Sequence, residues 1–264
     1  MTNKVYTHNG TFHADEISAI ALLQVFIPSI DYSIERVDHQ TTEFPNAHYV
    51  IDTGRQYDNI TRFDHHQWEG GKSSAGIIWQ HLKEKLELDY PSIDDLVEAI
   101  DHNDVGVKPA TKYEYSRLIS MYNTHDIHSP AQFNAFLQAI QFAKDIFTSL
   151  KNNEEVLKAS EIVCKKALYW PGTTDVLELP GWTLGWSDFI NGETMPHIEA
   201  VVWTDKKLGT WNIQTTNKST TSYEKVGKKL LPCGYMTFVH SNNFFAVAPT
   251  RALMHAYINK KRAY

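Results

Sequence analysis

Tyr49-Val50-Ile51-Asp52, the turn-rich Thr53-Gly54-Arg55-Gln56-Tyr57-Asp58-Asn59, and then Arg62-Phe63-Asp64-His65-His66-Gln67 form the stretch that decides the fold. An apolar, β-branched run ending in a carboxylate and followed by a loop reads as a strand that delivers Asp52 to the C-terminal edge of a sheet. Asp64, His65 and His66 cannot all be buried without partners, because each needs hydrogen bonds or a counter-charge. The reading that follows is that Asp52 and His65 meet at that edge, on a pair of divalent metal ions.

Outward from this stretch the chain alternates strands and helices. Lys4-Val5-Tyr6-Thr7 reads as a first strand. The polar turn His8-Asn9-Gly10-Thr11-Phe12-His13-Ala14-Asp15-Glu16 enters a helix whose apolar residues are Ile17, Ile20, Ala21, Leu23 and Val25, and which Pro28 stops. Tyr32 to Val37 and His48 to Asp52 supply two more strands, so βαβ units and a largely parallel sheet are expected. Gly70-Gly71-Lys72-Ser73-Ser74-Ala75-Gly76 feeds another helix. Its N-terminus is either a phosphate seat with Lys72 beside it or an ordinary capped start. Ile93 to Ile100 is amphipathic and ends at Asp101-His102-Asn103-Asp104, and Ser129-Pro130 opens a helical pattern running, in one or two helices, to Leu168. Beyond Trp170-Pro171-Gly172, β-like runs fall at 176–179, 182–186, 198–203 and 211–215. A Lys-rich helix over 223–231, a β run from 238 to 248 and a helix from about Thr250 complete the chain. The expected architecture is α/β: a domain over 1–128 with a mainly parallel sheet flanked by helices, a helical connector over 129–168, and a smaller α+β domain over 169–264.

Bulk properties narrow the function. A hydrophobic content of 42% with 12% aromatic residues is that of a globular chain with a core. The net charge of −6 argues against a protein that coats nucleic acid indiscriminately. The charge is uneven: residues 1–168 sum to −9 and residues 169–264 to +3, an acidic part suited to cations and a mildly basic part suited to anions. Cys164 and Cys233 form no C-x-x-C unit and read as buried thiols of a reducing compartment. A strand starting near residue 4 leaves no room for a signal peptide, and the apolar stretch from Ile17 to Ile30 is too short to span a bilayer, so a cytoplasmic protein is expected.

His8, His13, Asp15, Asp52, Asp64, His65, His66, Asp101 and Asp104 all fall at strand ends or in loops of the acidic part. Singly, each has an ordinary use as a cap, turn residue or solvated helix end. Together they are carboxylates and imidazoles without thiolate, which suits Mn²⁺ or Mg²⁺ better than a structural zinc. In a parallel sheet the loops that carry them converge on one edge. His125-x-x-His128 lies before a helix cap, lacks a glutamate partner, and reads as surface.

These residues bring a family into view. His8 to Glu16 resembles the H-N-G-x-F-H-x-D-E signature of the melanocyte-proliferating-gene (Myg) family, the UPF0160-type branch of the DHH phosphoesterase superfamily. Asp64-His65-His66-Gln67 is similar to its D-H-H-Q, Ser73-Ser74-Ala75-Gly76 to its S-S-A-G, and Ser116-Arg117-Leu118 through Asn123 to its S-x-R-…-L-N segment. The resemblance implies a DHH-type N-terminal domain and two divalent ions, Mn²⁺ or else Mg²⁺. His8, His13 and Asp52 would hold the first ion, and Asp15, Asp52, His65 and Asp101 the second, with Asp52 bridging. Asp64 would orient a ligand histidine, His66 would face the substrate phosphate, and Lys72 and Arg251 would neutralise charge on its oxygens, beside Ser73 and Ser74. The activity implied is metal-assisted hydrolysis of phosphoesters, in the favoured form a 3′–5′ exonuclease acting on RNA or short oligonucleotides. A pyrophosphate or dinucleotide hydrolase and a non-catalytic nucleotide- or RNA-binding protein are the alternatives. The chain departs from the family pattern where Asp52-Thr53-Gly54-Arg55 replaces D-V-G-G, where Val105-Gly106 follows Asp104, and where Phe244-Phe245-Ala246 replaces a Gly-Gly.

Overall fold

The computed structural model describes residues 3–29, 32–67, 70–191, 195–216, 235–241 and 244–262. They divide into two compact units, Met1–Glu154 and Glu155–Tyr264.

In the first unit β1 (Asn3–His8), β2 (Tyr32–Val37), β3 (Ala47–Ile51) and β4 (Arg62–Phe63) form one sheet in the order β2-β1-β3-β4. Every pair is parallel, as alternating strand and helix patterns require. Side-chain alternation along the strands sends Val5, Tyr49, Ile51 and Phe63 to the main core, and Tyr6 and Val50 to a small cluster with Phe44 on the opposite face. The main core is closed by α1 (Ala14–Phe26), α2 (Ser74–Leu86), α3 (Pro91–Asp104), α4 (Tyr115–Ser120) and the N-terminal part of α5 (Pro130–Lys166). Burial of each large aliphatic side chain there stabilises the fold by roughly 1.5–3 kcal/mol.

Helix α1 is buried continuously from Ala14 to Leu23, so its polar members Asp15, Glu16 and Ser18 are buried as well. Ser18 is satisfied by the Tyr115 hydroxyl at 2.8 Å. Helix α3 starts at Pro91 and is capped from another helix: the Ser92 amide donates to Glu154 Oε1 of α5 at 3.0 Å, and the Ser92 hydroxyl donates to the same oxygen.

The second unit is a six-stranded mixed sheet, order β5-β6-β7-β8-β10-β9, made of β5 (Leu168–Tyr169), β6 (Val176–Glu178), β7 (Ala200–Thr204), β8 (Trp211–Thr215), β9 (Phe238–Val239) and β10 (Phe245–Ala248). Only the β6–β7 pair is parallel. Trp170, Val202, Ile213 and Ala246 pack with Met254, Tyr257 and Ile258 of the last helix, α7 (Arg251–Arg262). Leu177, Leu179, Val201 and Trp203 pack instead with Trp186 and Ile190 of α6 (Trp186–Asn191) and with the buried free thiol of Cys164.

The α/β class is as expected, and α5 is one continuous helix of 37 residues. One expected strand is absent. Residues 182–186 form a turn into α6, with the Trp186 amide on Thr183 O and Gly185 at φ +84°, a backbone that breaks an extended run. The expected β run from 238 to 248 is the antiparallel pair β9–β10. The Lys-rich helix at 223–231 and Cys233 lie outside the described residues. Among the described residues no helix is long and apolar enough to cross a membrane.

Candidate metal centre

The C-terminal ends of β1, β3 and β4 lie side by side, and each delivers an ionisable residue: His8, Asp52 and Asp64. The loop after β1 is clamped by donors from three directions. Arg36 of β2 donates to His8 O at 3.1 Å and Gly10 O at 3.0 Å, Gln132 of α5 donates to Gly10 O at 2.9 Å, and Asn123 makes a reciprocal pair with the Phe12 amide and carbonyl. Phe12 itself is fully buried. His13 then begins α1, its amide held by both oxygens of Glu16 at 2.9 and 3.0 Å. That arrangement fixes His8, His13, Asp15 and Glu16 relative to one another before any ion is considered.

Asp52 sits between two imidazoles. Its Oδ2 is 3.3 Å from His8 Nε2, and its Oδ1 is 3.3 Å from His65 Nε2, 3.5 Å from His66 Nδ1 and accepts from the Ser74 hydroxyl at 3.1 Å. It holds this position in the left-handed region, at φ +54°, a conformation that costs energy for a residue other than glycine and concentrates at functional sites. His65 Nε2 further approaches Asp104 Oδ2 at 3.2 Å and Asp15 Oδ2 at 3.8 Å. Among the described residues, three sets therefore have donor atoms close enough to share an ion: His8, His13, Glu16 and Asp52; Asp52, His65 and His66; and Asp15, His65 and Asp104.

The electrostatics of these sets favour a cation. Asp15 is 1% exposed, yet neither of its oxygens receives a hydrogen bond. Burial, then the charges of Asp52, Asp104 and Glu16, push its carboxyl well above the usual range. Burial also raises Asp104, against the pull of His65. For Asp52 burial is overcome by hydrogen bonds from His65 and His8, and its carboxyl is held below the usual range. Hydrogen bonds to Asp52 and Glu16 outweigh burial at His8 and push it up to about 11. The bare, buried oxygens of Asp15 among these carboxylates and imidazoles, with no thiolate, make a donor set that fits a divalent cation.

The other expected site residues have defined places. Asp64 accepts from the Arg55 amide at 2.8 Å and from the His66 amide at 2.8 Å, and lies 2.9 Å from His66 Nδ1. The histidine it orients is therefore His66, while His65 faces Asp52, Asp15 and Asp104. Asp101 stands outside all three sets. Its Oδ1 accepts from the Ser73 amide at 2.9 Å and hydroxyl at 2.6 Å, so it caps α2. Ser73 and Ser74 are fully buried with their hydroxyls on Asp101 and Asp52. Lys72 donates to Gln80. Arg251 belongs to the second unit, where it pairs with Glu178 at 2.6 Å and stacks over Trp170 and Trp211.

The histidines and acids open onto a cleft of about 1050 Å³ that includes His8, His13, Asp52, Asp64 and His66 in its walls. The cleft also gathers His39, Arg55 and His128, which sequence reasoning left out. Glu16 was missed as a donor although it closes the H-N-G-x-F-H-x-D-E run.

A parallel sheet with a carboxylate–imidazole cluster at its strand ends defines the class: an α/β protein whose clustered residues could hold metal ions. The chain belongs to the Myg family, since the profile of the Uncharacterised protein family UPF0160 matches residues 4–238, and the resemblance drawn from its motifs is thereby shown. It is 30% identical over 202 residues to a MYG1 protein of Chlamydia pneumoniae, covering 72% of this chain and 68% of that one. It is 25% identical over 273 residues to the human protein named MYG1 exonuclease, covering 84% and 72%. Among solved structures, a pGpG-specific phosphodiesterase, PggH of Vibrio cholerae, aligns over 99% of both chains at 13% identity, with a TM-score of 0.37, too low to add to the sequence match.

Proposed function

We propose that the chain is a metal-dependent phosphoesterase that hydrolyses phosphodiester bonds, acting as a 3′–5′ exonuclease on RNA or short oligonucleotides in the cytoplasm. The observation that carries the reading is Asp52: one strained, buried carboxylate contacts His8 with one oxygen and His65 with the other. That is the disposition a bridging ligand needs. His8, His13 and Asp52 would hold one ion, and Asp15, Asp52, His65 and Asp104 the other. Asp104 takes the place sequence reasoning gave to Asp101, because Asp101 is committed to capping α2. Mn²⁺ is the ion proposed, with Mg²⁺ as its substitute. When bound, two such cations would supply activation of a water and charge neutralisation at the phosphate.

The chain's own residues do the rest. His66 is half-exposed in the cleft wall with Nδ1 held by Asp64, which leaves Nε2 free to face a substrate oxygen. The hydrogen bond to Asp64 outweighs burial and raises the imidazole above its ordinary value. The family's human member, which carries the name exonuclease, supports the substrate class, and a cleft of about 1050 Å³ holds more than one phosphate group. Residues 169–264, at +3, are assigned to substrate binding, with 129–168 as connector.

The test is turnover by the Mn²⁺-loaded protein on labelled oligoribonucleotides, dinucleotides and pyrophosphate. Stepwise shortening from the 3′ end supports the reading. Cleavage of pyrophosphate alone would replace it with a small-phosphate hydrolase. Metal-dependent binding without turnover on any substrate would leave a binding protein.

A further inference from the structure

Five described residues other than glycine have φ in the left-handed region. Asn46 and Asn59 tolerate it, and Glu87 is the C-cap of α2, where it is ordinary. The remaining two are Asp52, at +54°, and Arg55, at +52°, both in the loop that leaves β3 for the cleft. Asp52 has a use that accounts for its strain. Arg55 has none in the fold. Only its amide is engaged, on Asp64 Oδ2, and any residue type supplies an amide. A glycine would occupy this backbone without strain, so what the arginine adds is its side chain.

That side chain is exposed and forms part of the cleft wall, and among the described residues it is the one Lys or Arg to do so. Two other arginines of this unit are occupied: Arg36 on backbone carbonyls and aromatic rings, and Arg62 over Phe44. Arg55 has no carboxylate within ion-pair distance among the described residues, although Asp52 and Asp64 are close neighbours in the loop and in space. No ion pair among the described residues ties the guanidinium to the acidic floor, so the exposed side chain is available to a ligand in the cleft. A permanent cation with a planar donor fork, held clear of the ligand carboxylates, matches a phosphate that lies beyond the one being cleaved.

We propose that Arg55 binds a second phosphate of the substrate, adjacent to the scissile one, so that the cleft selects phosphoesters carrying a terminal phosphate or a further nucleotide over an isolated phosphodiester. This rests on the phosphoesterase reading for the position of the scissile group, but not for its test. Binding of the dinucleotide ApA, of its 5′-phosphorylated form pApA, and of the trinucleotide ApApA is measured by calorimetry on the Ca²⁺-loaded full chain, with turnover followed separately in Mn²⁺. The native chain binds pApA or ApApA more tightly than ApA. Which of the two gains tells a terminal phosphate from an internucleotide one. Arg55→Gly keeps the amide that holds Asp64 and relieves the backbone, so its melting temperature stays level or rises while the preference shrinks roughly 10–100-fold. Arg55→Lys recovers part of the preference. Equal affinities for all three ligands in the native chain, or a preference untouched in Arg55→Gly, overturns the assignment. So does a fall in melting temperature together with loss of metal, which would make Arg55 structural. Absence of turnover with the preference intact sinks the phosphoesterase reading and leaves the Arg55 site standing.

Discussion

Asp15 is the residue least suited to the fold without a cation. Its oxygens are buried and receive no hydrogen bond, and burial plus three neighbouring carboxylates push its carboxyl well above the usual range. Removing the acid should therefore help the metal-free fold and harm the site. Asp15→Asn is expected to raise the stability of the chelator-treated protein, on the order of 1 kcal/mol or more at neutral pH, while weakening Mn²⁺ binding at least 10-fold. Thermal unfolding in chelator beside a Mn²⁺ titration checks both signs, and a destabilised variant with undiminished Mn²⁺ affinity would count against a ligand role. The adjacent histidines should separate in another way. His65, among Asp52, Asp104 and Asp15, is expected to lose metal and turnover together as His65→Ala. His66→Ala should keep its metal content and lose about 10²–10³ in kcat, the usual cost of one transition-state donor. Metal stoichiometry measured with kcat on both variants decides between these roles.

At the scale of elements, the junction of α2 and α3 is where the site is braced. A Cβ on Gly76 would overlap both carboxylate oxygens of Asp101, and the carboxylate is held in place at Oδ1 by the Ser73 amide and hydroxyl. Gly76→Ala should cost about 1–3 kcal/mol by chemical denaturation, with Mn²⁺ affinity reduced because Ser74 and Asp104 sit on the same two helices. An alanine tolerated without loss would show that this contact is slack. The junction also shows what sequence could not settle. Asp101 and Asp104, three apart on one helix, share a face, and only the tertiary contact with Ser73 assigns one to capping and leaves the other beside His65. The strands β1, β2 and β3 and the helix α1 were legible because their apolar periods are long and their ends carry turn residues. The two-residue β4 and six-residue α4 are too short to have a period. The run 182–186 misled because Trp and Thr favour strands, whereas Gly181 precedes it and Gly185 interrupts it. At the site, the His and Asp types were visible from their clustering. Glu16 was not, since a glutamate at the third position of a helix reads as a capping residue, a job it also performs. His128 and His39 reach the cleft only through the folding of separate loops.

For the molecule as a whole, protonation, cation binding and stability are one linked equilibrium. Asp15 and Asp104 have raised values in the folded state. Their contribution is intact below the ordinary carboxylate value, near 3.8, and is lost as pH rises through their folded values, so the metal-free protein weakens toward neutrality. His8 is raised to about 11. Its contribution is complete below the ordinary histidine value of 6.5, declines steadily above it, and is gone by about pH 11. Asp52 is depressed, and its contribution disappears only in acid, below the ordinary value. Between about pH 5 and 6.5 the His8–Asp52 pair is therefore level and the slope belongs to Asp15 and Asp104, while above 6.5 His8 adds to the same downward slope. A cation bound among these groups displaces their protons and that of His8, so binding must tighten as pH rises. Because a ligand that binds only the folded state adds RT ln(1 + [L]/Kd), about 2.7 kcal/mol at 100-fold excess over Kd, the gain grows with pH. The expected outcome is a gap in melting temperature between Mn²⁺-saturated and chelated protein that widens from pH 5.5 to pH 8. Calorimetric titration of Mn²⁺ in buffers of different ionisation enthalpy should then report net proton release at pH 7. A constant gap with no protons released would mean that Asp15, Asp104 and His8 do not meet the ion, and the assignment of the centre to the ends of β1 and β3 would fall with it.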